Sequence, residues 1–155
     1  MLSPMAISNE LIKMAIKESI PLTPMKLQKM LFFVYGKYGA EYNEKLFEEP
    51  FLVWQYGPVV ESVYYEFKSF GTEKINKYAA DAKGIAYFPD KDCLELEHFF
   101  ASLKKTWNRY KHLSAQLLVG LTHIEDSPWD RAFKEGLNTI PNEYIIRYFK
   151  ENPCA

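Results

Sequence analysis

The sequence predicts a mainly α-helical (α+β) fold: one compact domain over residues 1–155, with six or seven helices and one small β-sheet or hairpin. Three observations lead there. Five segments repeat their apolar residues at helical spacing. The strand signals are few, short and interrupted by proline. A chain of 155 residues closes around one core, hiding about 70% of its unfolded surface.

In chain order, Ile7 to Glu18 places Ile7, Leu11, Met14 and Ala15 on one helical face, behind Ser8 and Asn9 as capping residues. After a break, Thr23 caps a second helix and Pro24 takes its first position, where a missing N–H costs nothing. Leu27, Met30, Leu31, Val34, Tyr35 and Tyr38 form its apolar face and Lys26, Lys29 and Lys37 the opposite one, the clearest helical pattern in the chain. Residues 46–54 read as extended, with Pro50 confining any strand to an edge or a start. Tyr56-Gly57-Pro58 turns the chain into a third helix, facing inward with Val60, Val63, Tyr64, Phe67 and Phe70 and ending at Gly71. Short runs between Lys74 and Phe88 flank Asp81-Ala82-Lys83-Gly84 as a hairpin would. Asp92 and Glu95 have capping-box spacing ahead of a fourth helix that points Leu96, Phe99, Phe100, Leu103, Trp107 and Tyr110 inward. Helices from Ser114 to Leu121, Ser127 to Glu135 and Asn142 to Lys150 complete the chain.

Composition narrows the function classes. The chain is 48% hydrophobic and 25% charged, as globular proteins are, but carries eleven Tyr, eleven Phe and three Trp. Nineteen basic against twenty acidic residues give a formal charge of -1, so no global attraction to a phosphate backbone exists. Cys93 and Cys154 have no partners at metal-ligand spacing, which points to a reducing, cytoplasmic setting and to no metal. The N-terminus lacks a basic region followed by an apolar run, and no stretch approaches a membrane span.

Three stretches concentrate chemistry. In Thr122-His-Ile-Glu-Asp-Ser-Pro-Trp129, Ser127 is a good helix cap, Pro128 a first helical residue, and Asp130 is spaced to reach back to the cap's own N–H. Architecture therefore explains much of it. His123 with Glu125 or Asp126 is the alternative, a cryptic hydrolase, but His98 and His112 stand singly and supply no metal pattern. Around Val53 to Val59, Trp54 and Tyr56 suit either a core or a binding hot spot. Residues 7–38 offer a helix-turn-helix-like arrangement with Lys26, Gln28 and Lys29 facing DNA, an alternative regulator function that the charge balance disfavours. No phosphate loop, nucleophile elbow or other cofactor motif occurs, so neither an enzyme nor a cofactor is expected.

Leu22-Thr-Pro-Met-Lys-Leu-Gln-Lys-Met-Leu-Phe-Phe33, Trp54-Gln-Tyr-Gly-Pro-Val-Val-Glu-Ser-Val-Tyr64 and Thr122 to Trp129, in this order, resemble the Panacea domain of SocA-type antitoxins, also known as phage-associated or GepA-like proteins. The resemblance implies a helical, non-catalytic protein of toxin–antitoxin or prophage loci, which binds and neutralises a cognate protein toxin. It also implies two modes: direct contact, or delivery of the toxin to a Clp-type protease as an adaptor. Some members carry an added DNA-binding segment, for which this length leaves no room. Mapped onto this chain, the expected structural signature is Thr23, Pro24, Leu27, Gln28, Gly57, Pro58, Tyr64, Ser127 and Pro128. The expected partner contacts are Lys26, Lys29, Trp54, Tyr56, Tyr65, His123 and Trp129.

Overall fold

A helix that runs through the middle of the molecule organises everything else. The computed structural model describes residues 1–155, and its seven helices are α1 (Pro4–Glu18), α2 (Pro24–Tyr42), α3 (Glu61–Phe67), α4 (Leu96–Tyr110), α5 (Ala115–Thr122), α6 (Pro128–Lys134) and α7 (Asn142–Glu151). One antiparallel sheet pairs β1 (Phe51–Trp54) with β2 (Gly57–Val60), with Phe51 opposite Val60 and Trp54 opposite Gly57. The fold is thus mainly helical with one small sheet.

Thr23 starts α2 as its sequence announces: the Oγ1 accepts from the Lys26 N–H, and Pro24 follows. Helices α1, α3, α4, α5 and α7 and strand β2 all pack on α2. Phe32 and Phe33 meet Phe149 of α7 edge to face, and Phe33 stacks on Tyr110 of α4 with centroids 4.4 Å apart. At Gly36 a Cβ would lie 2.1 Å from the Phe149 ring, so only glycine lets α7 approach this closely.

Enclosure of α2 overturns one expectation. Lys26, Gln28 and Lys29 are 6%, 4% and 1% exposed, so they form no solvated face and present nothing to a DNA groove. Amphipathic spacing identifies one buried side of a helix but does not register that other elements cover its remaining sides.

Several boundaries also differ. Helix α1 begins three residues earlier, with Ser3 Oγ accepting from the Ala6 N–H ahead of Pro4. Asn9 is consequently mid-helix and buried, where its side-chain amide bonds both the N–H and the C=O of Ala79, each at 2.8 Å. That amide replaces the strand partner the 74–88 segment was expected to have. Only an isolated bridge between Ala80 and Ala86 forms there, and the sheet lies at 51–60 instead. Val60 ends β2, so the third helix starts at Glu61, and Tyr64 is 39% exposed rather than turned inward. Helix α4 has no side-chain cap, because Glu95 accepts from the Cys93 thiol and Asp92 makes no capping bond. Phe100 is likewise exposed. No helix is long and apolar enough to cross a membrane.

Candidate functional site

The hairpin turn is gripped by its main chain. Gln28 reaches from α2 with both ends of its amide, accepting from the Val60 N–H at 2.8 Å and donating to Val60 O at 3.0 Å. This closes the outer edge of β2 as another strand would. The outer edge of β1 is closed by residues 138–140, through Val53 N–H to Asn138 O and Ile140 N–H to Phe51 O. One residue on from Gln28, Lys29 Nζ donates to Pro58 O at 3.1 Å.

Helices α5 and α6 hold the turn as well. Trp129 Nε1 donates to Trp54 O at 2.9 Å, and His123 Nε2 lies 3.0 Å from Gln55 O. Five hydrogen bonds from four side chains therefore hold the backbone of Trp54, Gln55, Pro58 and Val60. Gly57 makes the fit possible. Its φ of 107° suits glycine, and a Cβ there would meet Thr122 Oγ1 at 2.7 Å and Lys29 Cε at 2.9 Å.

Local sequence explains how α5 and α6 are placed. Ser127 Oγ accepts from the Asp130 N–H at 3.1 Å as an N-cap and donates to Thr122 O at 2.7 Å, tying the two helices together. Asp130 accepts from the Asp126 N–H rather than from that of Ser127, whose own N–H bonds Ile124 O. The His123 ring packs against the Trp129 indole with centroids 3.8 Å apart. Its Nδ1 lies 2.7 Å from Val119 O, so both ring nitrogens face main-chain carbonyls. A neutral ring carries one N–H and serves one of these carbonyls at a time, so the tautomer protonated at Nε2 is the one in which His123 tethers α5 to the turn. The acid–base arrangement expected as an alternative is not assembled, since Glu125 and Asp126 make no hydrogen bond to the ring. No group of three or more His, Cys, Asp or Glu side chains gathers anywhere as a metal would require.

Lys29 is the unusual electrostatic element. Burial without a carboxylate partner pushes its amine down to about 7, because a charged ammonium loses its hydration there. Burial also lowers the Lys26 amine, whose Nζ donates to Lys111 O.

Above this anchored backbone sits an aromatic face. Tyr56 at the turn and Tyr65 on α3 are each 57% exposed. Half-buried Trp54 meets Tyr64 edge to face at 4.8 Å, and Tyr64 meets Tyr65 at 5.3 Å. The Lys68 ammonium stands 5.1 Å from the Tyr65 ring centre. Between hairpin, α2 and α3 runs a groove of about 530 Å³, its walls formed by Leu27, Trp54, Tyr56, Val63, Tyr64 and Phe67. Phe133 on α6 is exposed and stacks on Trp129.

The seven expected contact residues thus separate. Tyr56 and Tyr65 are exposed, Trp54 and His123 half-buried, and Lys26, Lys29 and Trp129 buried. Val63, Phe67 and Phe133 escaped sequence reasoning. The first two read as ordinary core, and Phe133 becomes notable only through its stack on Trp129.

Residues 27–130 match the family model described as "Antitoxin SocA-like, Panacea domain". The chain belongs to this SocA-like antitoxin family. It is also similar to Antitoxin SocA of Caulobacter vibrioides (strain NA1000 / CB15N), with 27% identity over 130 residues, 81% of this chain and 67% of the relative. No solved structure matches it. The family match encloses all four gripping side chains and the whole hairpin, while α1 and α7 lie outside it.

Proposed function

We propose that this chain neutralises a protein toxin by stoichiometric association through the aromatic face around the hairpin turn. One observation carries the reading: exposed Tyr56, Tyr64 and Tyr65 stand beside a turn whose main chain is already fixed by five hydrogen bonds. Tyrosine and tryptophan supply large contact area at low rotamer cost, and a contact surface that is ordered beforehand loses less entropy on binding. Family membership supports the toxin as the kind of partner.

The test is co-expression with the toxin encoded beside this chain, together with purification of the complex. Tyr56→Ala and Tyr65→Ala should each weaken association about thirtyfold, equivalent to roughly 2 kcal/mol, and reduce protection in parallel while thermal unfolding is unchanged. Repeating the assay in cells lacking Clp-type proteases separates inhibition in place from delivery to a protease. Protection at substoichiometric dose without proteases, lost on His123→Ala in a folded protein, would replace association with an enzymatic activity.

A further inference from the structure

A second concavity, of about 700 Å³, opens between α2, α4 and α7 and shares no lining residue with the groove beside the hairpin. Its size falls in the range of small-ligand pockets. Its lining is cationic. Lys37 enters from α2, Lys105 and Arg109 from α4 and Lys150 from α7, against the single carboxylate of Glu41. Four cations and one anion leave the lining a formal +3, in a chain whose total is -1.

Helical spacing gathers these charges. Ser102, Lys105 and Arg109 stand at i, i+3 and i+7 on one face of α4, and Lys37 and Glu41 at i and i+4 on α2. Of the four cations only Lys105 is ion-paired, to Glu41 at 3.5 Å across an exposed contact. Lys150 donates to Asn43 Oδ1, and Arg109 to the Cys154 carbonyl and the Tyr110 hydroxyl, all of them neutral acceptors. The Lys37 ammonium stands 5.6 Å from the Tyr110 ring centre. Burial, and then the neighbouring Arg109 guanidinium, lower the Lys37 amine below its usual value. An anion in the pocket relieves that crowding of like charge.

An uncharged group points to the same place. Two buried side-chain polar atoms in the molecule lack a hydrogen-bond partner, Ser102 Oγ and Thr106 Oγ1. Ser102 is 1% exposed and belongs to the pocket lining, on the face of α4 that carries Lys105 and Arg109. A buried hydroxyl without a partner costs stability, and an anionic oxygen beside it accepts its hydrogen bond.

We propose that this pocket binds a chain of two or more phosphates, free or carried by a nucleotide. Linked anionic oxygens meet cations from three helices at once, and lysine and arginine are the donors that phosphate oxygens favour. An acidic peptide carries its carboxylates on separate flexible side chains and loses more entropy when they are gathered into one concavity. The negative charge of the whole chain disfavours a nucleic-acid backbone, which extends beyond the pocket.

Calorimetric titration of inorganic triphosphate into the purified chain at about 100 mM salt should give one-to-one binding, at least about tenfold tighter than phosphate or sulfate. The affinity should fall as salt rises to about 300 mM, and the ligand should raise the melting temperature. Combining Lys105→Ala with Lys150→Ala should weaken triphosphate about tenfold or more, whereas Lys83→Ala with Lys91→Ala, the same charge change at exposed positions outside the pocket, should leave it within about twofold. Ser102→Ala should weaken binding about tenfold while the free chain unfolds at the same temperature or higher, since it removes an unpartnered buried hydroxyl. Titration of ATP separates the two sources. Affinity equal to that of triphosphate assigns the site to the phosphate chain alone, and tighter binding assigns it to a nucleotide. No triphosphate binding, phosphate or sulfate bound equally well, or equal losses in the two lysine pairs overturns the proposal. A glutamate-rich peptide bound more tightly than triphosphate overturns it too, and assigns the pocket to an acidic stretch of a protein partner.

Discussion

Lys29→Met should stabilise this protein at neutral and mildly acidic pH, by an amount that shrinks as the solution becomes alkaline. The Lys29 amine is 1% exposed and bonds only Pro58 O, and its pKa falls from 10.5 to about 7 on folding. Between those values the unfolded chain holds a proton that the folded chain has released. Stability therefore rises with pH through this window, is complete above 10.5, and is lost as pH falls toward about 7, below which the loss is constant. That interval corresponds to roughly 5 kcal/mol at its full extent. Methionine has similar length and no charge, and it leaves Pro58 O without its donor, a cost of about 1–3 kcal/mol. At about pH 6 the variant should exceed the wild type by about 2–4 kcal/mol, and at about pH 9, where the lysine penalty is roughly 2 kcal/mol, the two should be nearly equal. Urea unfolding at the two pH values measures both differences. A variant less stable than the wild type by the same margin at each pH would refute the reasoning, because the buried ammonium would then be fully compensated.

Three further outcomes follow from the hairpin's anchors. Gln28→Leu removes the partners of both the Val60 N–H and C=O, so it should cost about 2 kcal/mol or more and accelerate amide exchange at Val60 relative to α2. Ser127→Ala should lower stability by about 1–2 kcal/mol in denaturant unfolding, since its hydroxyl both caps α6 and bonds Thr122 O, with little direct effect on partner affinity. Gly57→Ala, at φ 107° and in collision with Thr122 and Lys29, should lower the melting temperature more than either and weaken partner binding through displacement of the turn.

Helices whose boundaries are written locally were legible in the sequence. Thr23-Pro24 and Ser127-Pro128 each combine a cap with a preset first residue, and α2 and α6 start there. Ser3-Pro4 carries the same signal and starts α1, yet the apolar spacing from Ile7 drew attention to Ser8 and Asn9. Features fixed by distant residues were not legible. The 74–88 segment is organised by Asn9, seventy residues upstream of Ala79, which no hairpin pattern contains. The strand at Gly57–Val60 was hidden because Pro58 reads as a helix start, whereas here its missing N–H is harmless and its carbonyl is taken by Lys29. At the candidate site, the aromatic turn and the His-Ser-Pro-Trp stretch stood out, and Ser127 does what its spacing predicts. That Lys29 and Trp129 both bond the hairpin's main chain required knowing that α2 and α6 converge on it.

The anchors share a property that bears on how such a domain works. Every one of them bonds a main-chain atom of the hairpin, and none depends on the side chain of Gln55 or Tyr56. Under the proposed association, fold and contact therefore fall to different residues. Replacing Gln28, Gly57 or Trp129 alters the scaffold, whereas replacing exposed Gln55 or Tyr56 alters what a stable scaffold presents. Under the proposed association, substitutions at these two tip positions should change partner affinity by up to about thirtyfold, with stability held within about 0.5 kcal/mol. A scan that found stability and affinity falling together at Gln55 and Tyr56 would show that the tip is structural and that the contact face lies elsewhere on the molecule.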